Sequence, residues 1–148
     1  GEYMEKIVVN THIGAYGVII QDGKIALIKK ARGGYKGLYD LPGGGIEHDE
    51  EPKEALYREL MEEVSVVVVK EQLLDVVSKT FKWQVEDNLI EDLHHIGILY
   101  LVETDDNKLR ETGDGIDSLG GVWIDIKDID KDKVTPFTWM ALERLGYK

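Results

Sequence analysis

The chain has no cysteine, which excludes disulfides and thiolate metal sites together. That absence is compatible with the cytosol, and a cytoplasmic location is the expectation. No apolar run is long enough to cross a bilayer and no secretory leader is recognisable, so no membrane partner is expected. Positive charge is scarce. Eighteen Lys and Arg stand against 29 Asp and Glu, for a net charge of −11. An excess of that sign opposes non-specific contact with nucleic acid or anionic lipid. It leaves a phosphorylated small molecule open, because a bound metal reverses the local sign. Internal repeats and low-complexity linkers are missing as well. What is present is 148 residues with a hydrophobic fraction of 43%. That suits a single domain over residues 1–148 with a sizeable core.

Residues 13–30 read as a hairpin, with strands over 16–20 and 25–28 joined by Asp22-Gly23. Six glycines and Pro42 mark 31–45 as a loop whose backbone can approach a ligand closely. A helix is predicted over 52–64, opened by Pro52 at its first position. Its expected apolar face is Leu56, Tyr57, Leu60, Met61 and Val64. Strands are predicted over 66–69, 73–85 and 94–102, the last two separated by the polar stretch 86–92. Residues 103–121 read as an acidic loop, 121–126 as a final strand, and Thr135 as the N-cap of a closing helix ending near 145. The pattern indicates a mixed α/β or α+β domain.

The most informative residues are Glu59, Glu62 and Glu63, at i, i+3 and i+4 of the first helix. On one helical face such like charges cost roughly 0.2–0.5 kcal/mol per pair. They either stay in bulk water or meet a cation, and hard divalent ions such as Mg²⁺ take oxygen ligands of this kind. Arg58, four residues before Glu62, can pair with a carboxylate and hold its orientation.

Counted from Gly44, the segment reads Gly-x₅-Glu-x₇-Arg-Glu-Leu-x-Glu-Glu-x-Ser-Val. This resembles the Nudix box of the MutT-like hydrolases at Gly44, Glu50, Arg58, Glu59, Leu60, Glu62, Glu63 and Val66. Leu41-Pro42-Gly43-Gly44 before it and Glu47 within it also fit the family. Ser65 departs, standing where the family has glycine. A glycine past a helix end usually takes positive φ, and serine there costs roughly 1 kcal/mol.

The resemblance implies an α/β/α sandwich with a mixed central sheet and hydrolysis of a nucleoside diphosphate linked to another moiety. It implies Mg²⁺ or Mn²⁺ as cofactor. Glu59, Glu62 and Glu63 carry over as metal ligands, with the Gly43 carbonyl as a further ligand. Glu50 carries over as auxiliary ligand or proton acceptor, and Arg58 as the residue orienting Glu59. Pyrophosphate cleavage asks the protein chiefly to position groups and stabilise charge. The metal clamps the diphosphate and acidifies the attacking water, and a carboxylate takes the proton. That carboxylate can lie outside the box, and Glu86, Glu91, Asp92, Asp114 and Asp117 are candidates.

Other residues are weighed one by one. His94 and His95 read first as structural. Trp83, Phe137 and Trp139 are candidate stacking partners for a base, with Trp123 and Trp139 assigned to the core. Phe137 and Arg32 are the substrate-binding candidates. Lys36 and Tyr35 share the Arg32 loop and read as solvated. The expected partner is a nucleoside diphosphate-linked small molecule, and the net charge argues against a long nucleic acid. A homodimer stays open. Two alternatives stand beside the hydrolase: a Nudix-fold module that senses a nucleotide without cleaving it, and a pyrophosphohydrolase of RNA 5′ ends.

Overall fold

The computed structural model describes residues 4–113 and 118–148. Alternation of apolar side chains builds its layers. In the strand Lys24–Lys30, Ile25 and Leu27 face one core while Ala26 and Ile28 face the other, as a two-residue period requires. The first core is closed by the helix Pro136–Arg144, through Phe137, Ala141 and Leu142. The second is closed by the helix Pro52–Val64, through Ala55, Leu56, Leu60 and Val64. Strands therefore lie between two helices, as the family resemblance implies.

In chain order the strands are β1 (Lys6–Val18), β2 (Ile20–Gln21), β3 (Lys24–Lys30), β4 (Tyr39–Asp40) and β5 (Gly43–Gly45). After α1 (Pro52–Val64) come β6 (Val68–Glu86), β7 (Leu89–Thr104), β8 (Ser118–Asp125) and α2 (Pro136–Arg144). The central layer is two four-stranded sheets. One runs β5-β1-β7-β6, with β1 and β7 parallel and the other pairs antiparallel. In the other, β3 pairs with β8, β2 and β4.

Several predicted boundaries move. The first strand begins at Lys6, ten residues before the expected start, because its exposed first half is held by pairing with β7 and carries no burial signal. The predicted strands 66–69 and 73–85 are one strand, β6, bent at register shifts near Val68 and Leu73. The polar stretch 86–92 is a two-residue turn, with Asn88 at φ 60°, and Leu89 already belongs to β7. β8 begins at Ser118, inside the stretch expected to be loop. Asp22-Gly23 does form the predicted turn, with φ of 52° and 73°, the pair of positive angles that matches strand twist.

The buried face of α1 also differs from the expectation. Tyr57 and Met61 are 43% and 46% exposed, whereas Ala55 and Glu63 are buried. Small residues set this orientation. Leu60 packs where a Cβ on Gly17 of β1 would stand 2.9 Å from its Cδ2, so the helix lies close against β1 along the Ala55–Glu63 side. Burying Leu56 or Leu60 contributes about 1.5–3 kcal/mol each, enough to fix that rotation. The rotation carries the Glu59–Glu63 edge toward the glycine strand β5.

Candidate functional site

α1 starts after an extended Glu51, whose N–H donates to Glu54 Oε1 at 3.2 Å, with Pro52 in its first turn. It ends on Ser65, which takes the left-handed conformation expected of the family's glycine, at φ 58°. Val66 N–H donates to the Leu60 carbonyl and Ser65 N–H to that of Met61, both at 3.1 Å. The bond from Ser65 to Met61 is that of a left-handed helix cap, and the one from Val66 satisfies a further terminal carbonyl. Serine thus takes the positive φ at this helix exit.

Arg58 is the hub of the acidic edge. Its Nε donates to Glu50 Oε2 at 2.7 Å and its Nη2 to Glu50 Oε1 at 2.9 Å. Nη1 reaches Glu59 Oε1 at 2.8 Å and Glu62 Oε2 at 3.2 Å, and Nη2 reaches the Gly45 carbonyl at 3.0 Å. A planar guanidinium fork can hold this many acceptors and an ammonium cannot. The paired hydrogen bonds hold the Glu50 carboxyl well below the usual carboxylate range. The sequence reading gave Arg58 one partner; the structure gives it three carboxylates. Glu47 is exposed, 3.9 Å from the same guanidinium.

Gly43–Gly45, expected within the loop 31–45, form the short strand β5, paired as Gly14 with Gly45, Ala15 with Gly44 and Tyr16 with Gly43. Gly43 sits at φ 143°, and a Cβ there would meet the Ala15 carbonyl oxygen at 2.2 Å. A Cβ on Gly44 would press on the Glu59 carboxylate at 2.7 Å. The glycines thus let backbone lie directly against the acidic edge.

Glu63 is only 7% exposed and accepts the Gly43 N–H at 3.0 Å. Burial pushes its carboxyl up to about 8, helped by nearby Asp40 and Glu59; Gly43 N–H and Lys30 offset part of this. Among the described residues no three His, Cys, Asp or Glu groups converge into a ready-made metal cage. One oxygen each of Glu59 and Glu62 is instead engaged by Arg58. The donor set nevertheless fits a hard divalent ion: carboxylate oxygens around a groove, one of them buried among like charges.

The groove is lined by Glu59, Glu62, Glu63 and the three glycines on one side, and by His12, Tyr16, Lys30 and Arg32 on the other. It runs into a second cleft of about 510 Å³ that shares the last four residues. Tyr16 Oη hydrogen-bonds His95 Nε2 at 2.7 Å at the junction. Burial, with His12 and Lys30 nearby, pushes the His95 imidazole down to about 4.

The remaining sequence candidates divide clearly. Arg32 lines both clefts. Phe137 does not line either; it is 3% exposed and stacks beneath His95 and Tyr16 at ring distances of 4.4 and 5.7 Å. Its expected substrate contact is therefore replaced by a packing role, because α2 aims it into the core. Tyr35 is not solvated but half-buried, stacked on Phe81 at 4.5 Å. Trp83 and Phe81 line the second cleft. Trp123 and Trp139 are half-buried at the core margins. His94 is exposed and His95 buried, their side chains on opposite faces of β7. Of the candidate proton acceptors, Glu91 lines the second cleft, and Glu86 and Asp92 line neither. Asp114 and Asp117 lie outside the described residues. Sequence reading missed His12, Tyr16, Lys30 and Asp40. His12 fell outside any predicted element, and Lys30 lay two residues beyond the strand predicted over 25–28, which in the structure runs Lys24–Lys30.

Comparison with known proteins identifies the family and the fold. The NUDIX domain family model matches residues 11–145, so the chain belongs to that family. It is 34% identical over 76 residues to an RNA pyrophosphohydrolase of Saccharophagus degradans, a match covering 51% of this chain and 45% of that protein. It is 42% identical over 62 residues to an ADP-ribose pyrophosphatase of Methanocaldococcus jannaschii, covering 42% of this chain and 37% of that protein. The matches thus span less than half the length of these relatives. Among solved structures, the MutT NUDIX hydrolase from Burkholderia pseudomallei superposes with a TM-score of 0.75 at 26% identity, covering 92% of this chain and 98% of that one. The NUDIX domain of Shewanella oneidensis NrtR, complexed with ADP ribose, shares the fold with a TM-score of 0.72 at 17% identity, covering 92% and 86%.

Proposed function

We propose that the chain hydrolyses the diphosphate linkage of a nucleoside diphosphate-linked small molecule, using Mg²⁺ or Mn²⁺. The observation that carries this reading is the Arg58 fork binding Glu50, Glu59 and Glu62 beside buried Glu63. Glu59, Glu62, Glu63 and the Gly43 carbonyl would hold the ion. The chemistry the ion supplies is charge neutralisation on the diphosphate and acidification of a bound water.

The chain's own groups do the rest. Arg58 spaces the carboxylates and keeps Glu50 ionised, fit to serve as an auxiliary ligand or to accept a proton. Lys30 and Arg32, across the groove, offer positive charge to phosphate oxygens. Support also comes from the pyrophosphatase names of the relatives and from an intact set of box carboxylates, for which a pure sensor has no need. A cytoplasmic location fits the lack of cysteine. Among the described residues no helix is long and apolar enough to cross a membrane.

The test is product release from a panel of nucleoside diphosphate derivatives, nucleoside triphosphates and 5′-triphosphate RNA, with Mg²⁺ and with EDTA. Hydrolysis that EDTA abolishes and that falls at least 100-fold in Glu62→Gln supports the proposal. Binding without turnover across the panel would leave the sensing module, and turnover of RNA alone would leave the 5′-end reading.

A further inference from the structure

Two of the arginines in this acidic chain go to carboxylates: Arg58 to the acidic edge, and Arg144 to Asp75 at 2.6 Å. Arg110, in the segment after β7, goes to backbone instead. It is half-buried, and its Nη2 donates to the Glu63 carbonyl at 3.1 Å. Its own N–H donates to the Val64 carbonyl at 2.8 Å. The last carbonyls of a helix have no partner inside it. Arg110 thus takes two consecutive ones, at the end of the turn that carries Glu62 and Glu63. Behind it, Gly121 N–H of β8 donates to the Arg110 carbonyl at 2.9 Å, and Gly121 pairs with Ile28 of β3. A Cβ on Gly121 would stand 2.9 Å from Val64 Cγ1, so β8 lies tight against the helix end. Hydrogen bonds therefore run without a break from the acidic turn, through Arg110, to the central sheet.

Two features set Arg110 apart from an ordinary helix cap. Its Nε is buried with no hydrogen-bond partner among the described residues. A buried donor left open costs stability, so stability alone does not select this placement. The helix end it holds is also strained, with Ser65 at φ 58°.

We propose that Arg110 is a positioning residue for the metal site: it fixes the backbone of Glu63, and with it the place from which that carboxylate reaches the ion. The inference rests on the proposed hydrolase for the ion's place among Glu59, Glu62 and Glu63. Two arginines then divide the acidic edge between them. Arg58 holds the carboxylates of Glu59 and Glu62, and Glu63 is not among its partners. Glu63 is pinned at both ends instead, its Oε1 by Gly43 N–H at 3.0 Å and its carbonyl by Arg110. At 7% exposure, a close-packed side chain cannot swing to make up for a shifted backbone. An error at the helix end therefore passes directly to the carboxylate oxygens. Removing a group that orients a metal ligand from behind typically costs about 10–100-fold in metal affinity or activity.

Calorimetric titration of Mn²⁺ into the protein, with no substrate present, reads the effect apart from turnover. Arg110→Met keeps the stem and the backbone N–H to Val64 and removes the donor to Glu63. It should bind Mn²⁺ about 10-fold or more weakly than the wild type. Arg110→Lys, which keeps a charged donor at the helix C-terminus, should fall between the two. In kinetics, Arg110→Met should need about 10-fold more Mn²⁺ for half-maximal rate, with an unchanged KM for substrate once Mn²⁺ is saturating. Leu109→Ala, which removes a half-buried apolar contact from the same segment, is the structural control: it should lower Tm and leave Mn²⁺ affinity unchanged. Wild-type Mn²⁺ affinity in Arg110→Met, an equal loss in Leu109→Ala, or no difference between Arg110→Lys and Arg110→Met would overturn the proposal. Mn²⁺ binding that depends on Arg110, with no hydrolysis of any diphosphate derivative, would sink the hydrolase and leave the positioning role standing. Mn²⁺-dependent hydrolysis with the same Mn²⁺ requirement in Arg110→Met would do the reverse. Mn²⁺ affinity unchanged in Glu62→Gln would remove the metal site and overturn both.

Discussion

Replacing Glu63 with glutamine separates the charge of the buried acid from its shape. The amide oxygen can still accept the Gly43 N–H that now reaches Glu63 Oε1 at 3.0 Å, so the local fold is kept. What disappears is the titration. The Glu63 carboxyl lies at about 8 in the folded chain against an ordinary 4.5. Ionising it therefore costs about 4–5 kcal/mol more in the folded than in the unfolded state. Because the folded value is raised, the contribution is fully present below pH 4.5 and is lost as pH climbs through 8. The metal-free wild type should weaken across that window relative to Glu63→Gln, whose side chain stays neutral. Against a total of roughly 5–15 kcal/mol for a domain, the effect is large. Urea unfolding of both proteins in EDTA at pH 5 and pH 9 reads it: the variant gains about 3–5 kcal/mol on the wild type between the two pH values. Adding Mg²⁺ at pH 9 should then restore the wild type, since an ion bound only by the folded state stabilises it by mass action, and should restore the variant much less. A wild-type-to-variant gap that does not change with pH, or Mg²⁺ stabilising both equally, would refute the reasoning.

Other perturbations have equally definite outcomes. Ser65→Gly relieves the left-handed strain at φ 58° and should add about 1 kcal/mol, raising Tm by about 2–4 °C in a thermal melt. Arg58→Lys cannot reproduce the fork on Glu50, Glu59 and Glu62; kcat should fall about 10–100-fold with Tm little changed, read by steady-state kinetics and a melt. Gly43→Ala drives a Cβ toward the Ala15 carbonyl at 2.2 Å and should cost several kcal/mol, whereas Gly44→Ala, which meets only the Glu59 side chain, should cost mainly activity. His95 has a folded value of about 4, below the ordinary 6.5. Its contribution is thus present above pH 6.5 and lost as pH falls toward 4, by about 3 kcal/mol; His95→Phe should flatten that part of the acid-unfolding curve.

The acidic edge was legible because its signal is local. Spacing along one helix puts Glu59, Glu62 and Glu63 together with Arg58 whatever the rest of the chain does. The Asp22-Gly23 turn and the start of α2 at Pro136 were legible for the same reason. Thr135 stands at the predicted cap, yet its hydroxyl goes to Asp40 Oδ1 at 2.5 Å and pairs with Thr138 Oγ1 at 2.9 Å, contacts no sequence window contains. The opposite wall of the site was illegible because it is assembled from afar. His12 meets His95 only through the parallel register of β1 on β7. The first half of β1 pairs in a sheet yet buries little, so periodicity is silent there. Phe81 and Tyr35 are neighbours only once a glycine-bearing loop folds back over β6. The rotation of α1, which hides Ala55 and Glu63 and exposes Tyr57 and Met61, depends on Gly17 of another strand.

The most direct measurement is hydrolysis of nucleoside diphosphate derivatives in ¹⁸O-labelled water with Mg²⁺, products read by mass spectrometry. The account predicts one labelled oxygen on a single phosphate-bearing product, no products with EDTA, and a rate at least 100-fold lower in Glu62→Gln. Unlabelled products, or the same rate in EDTA and in Glu62→Gln, would contradict it.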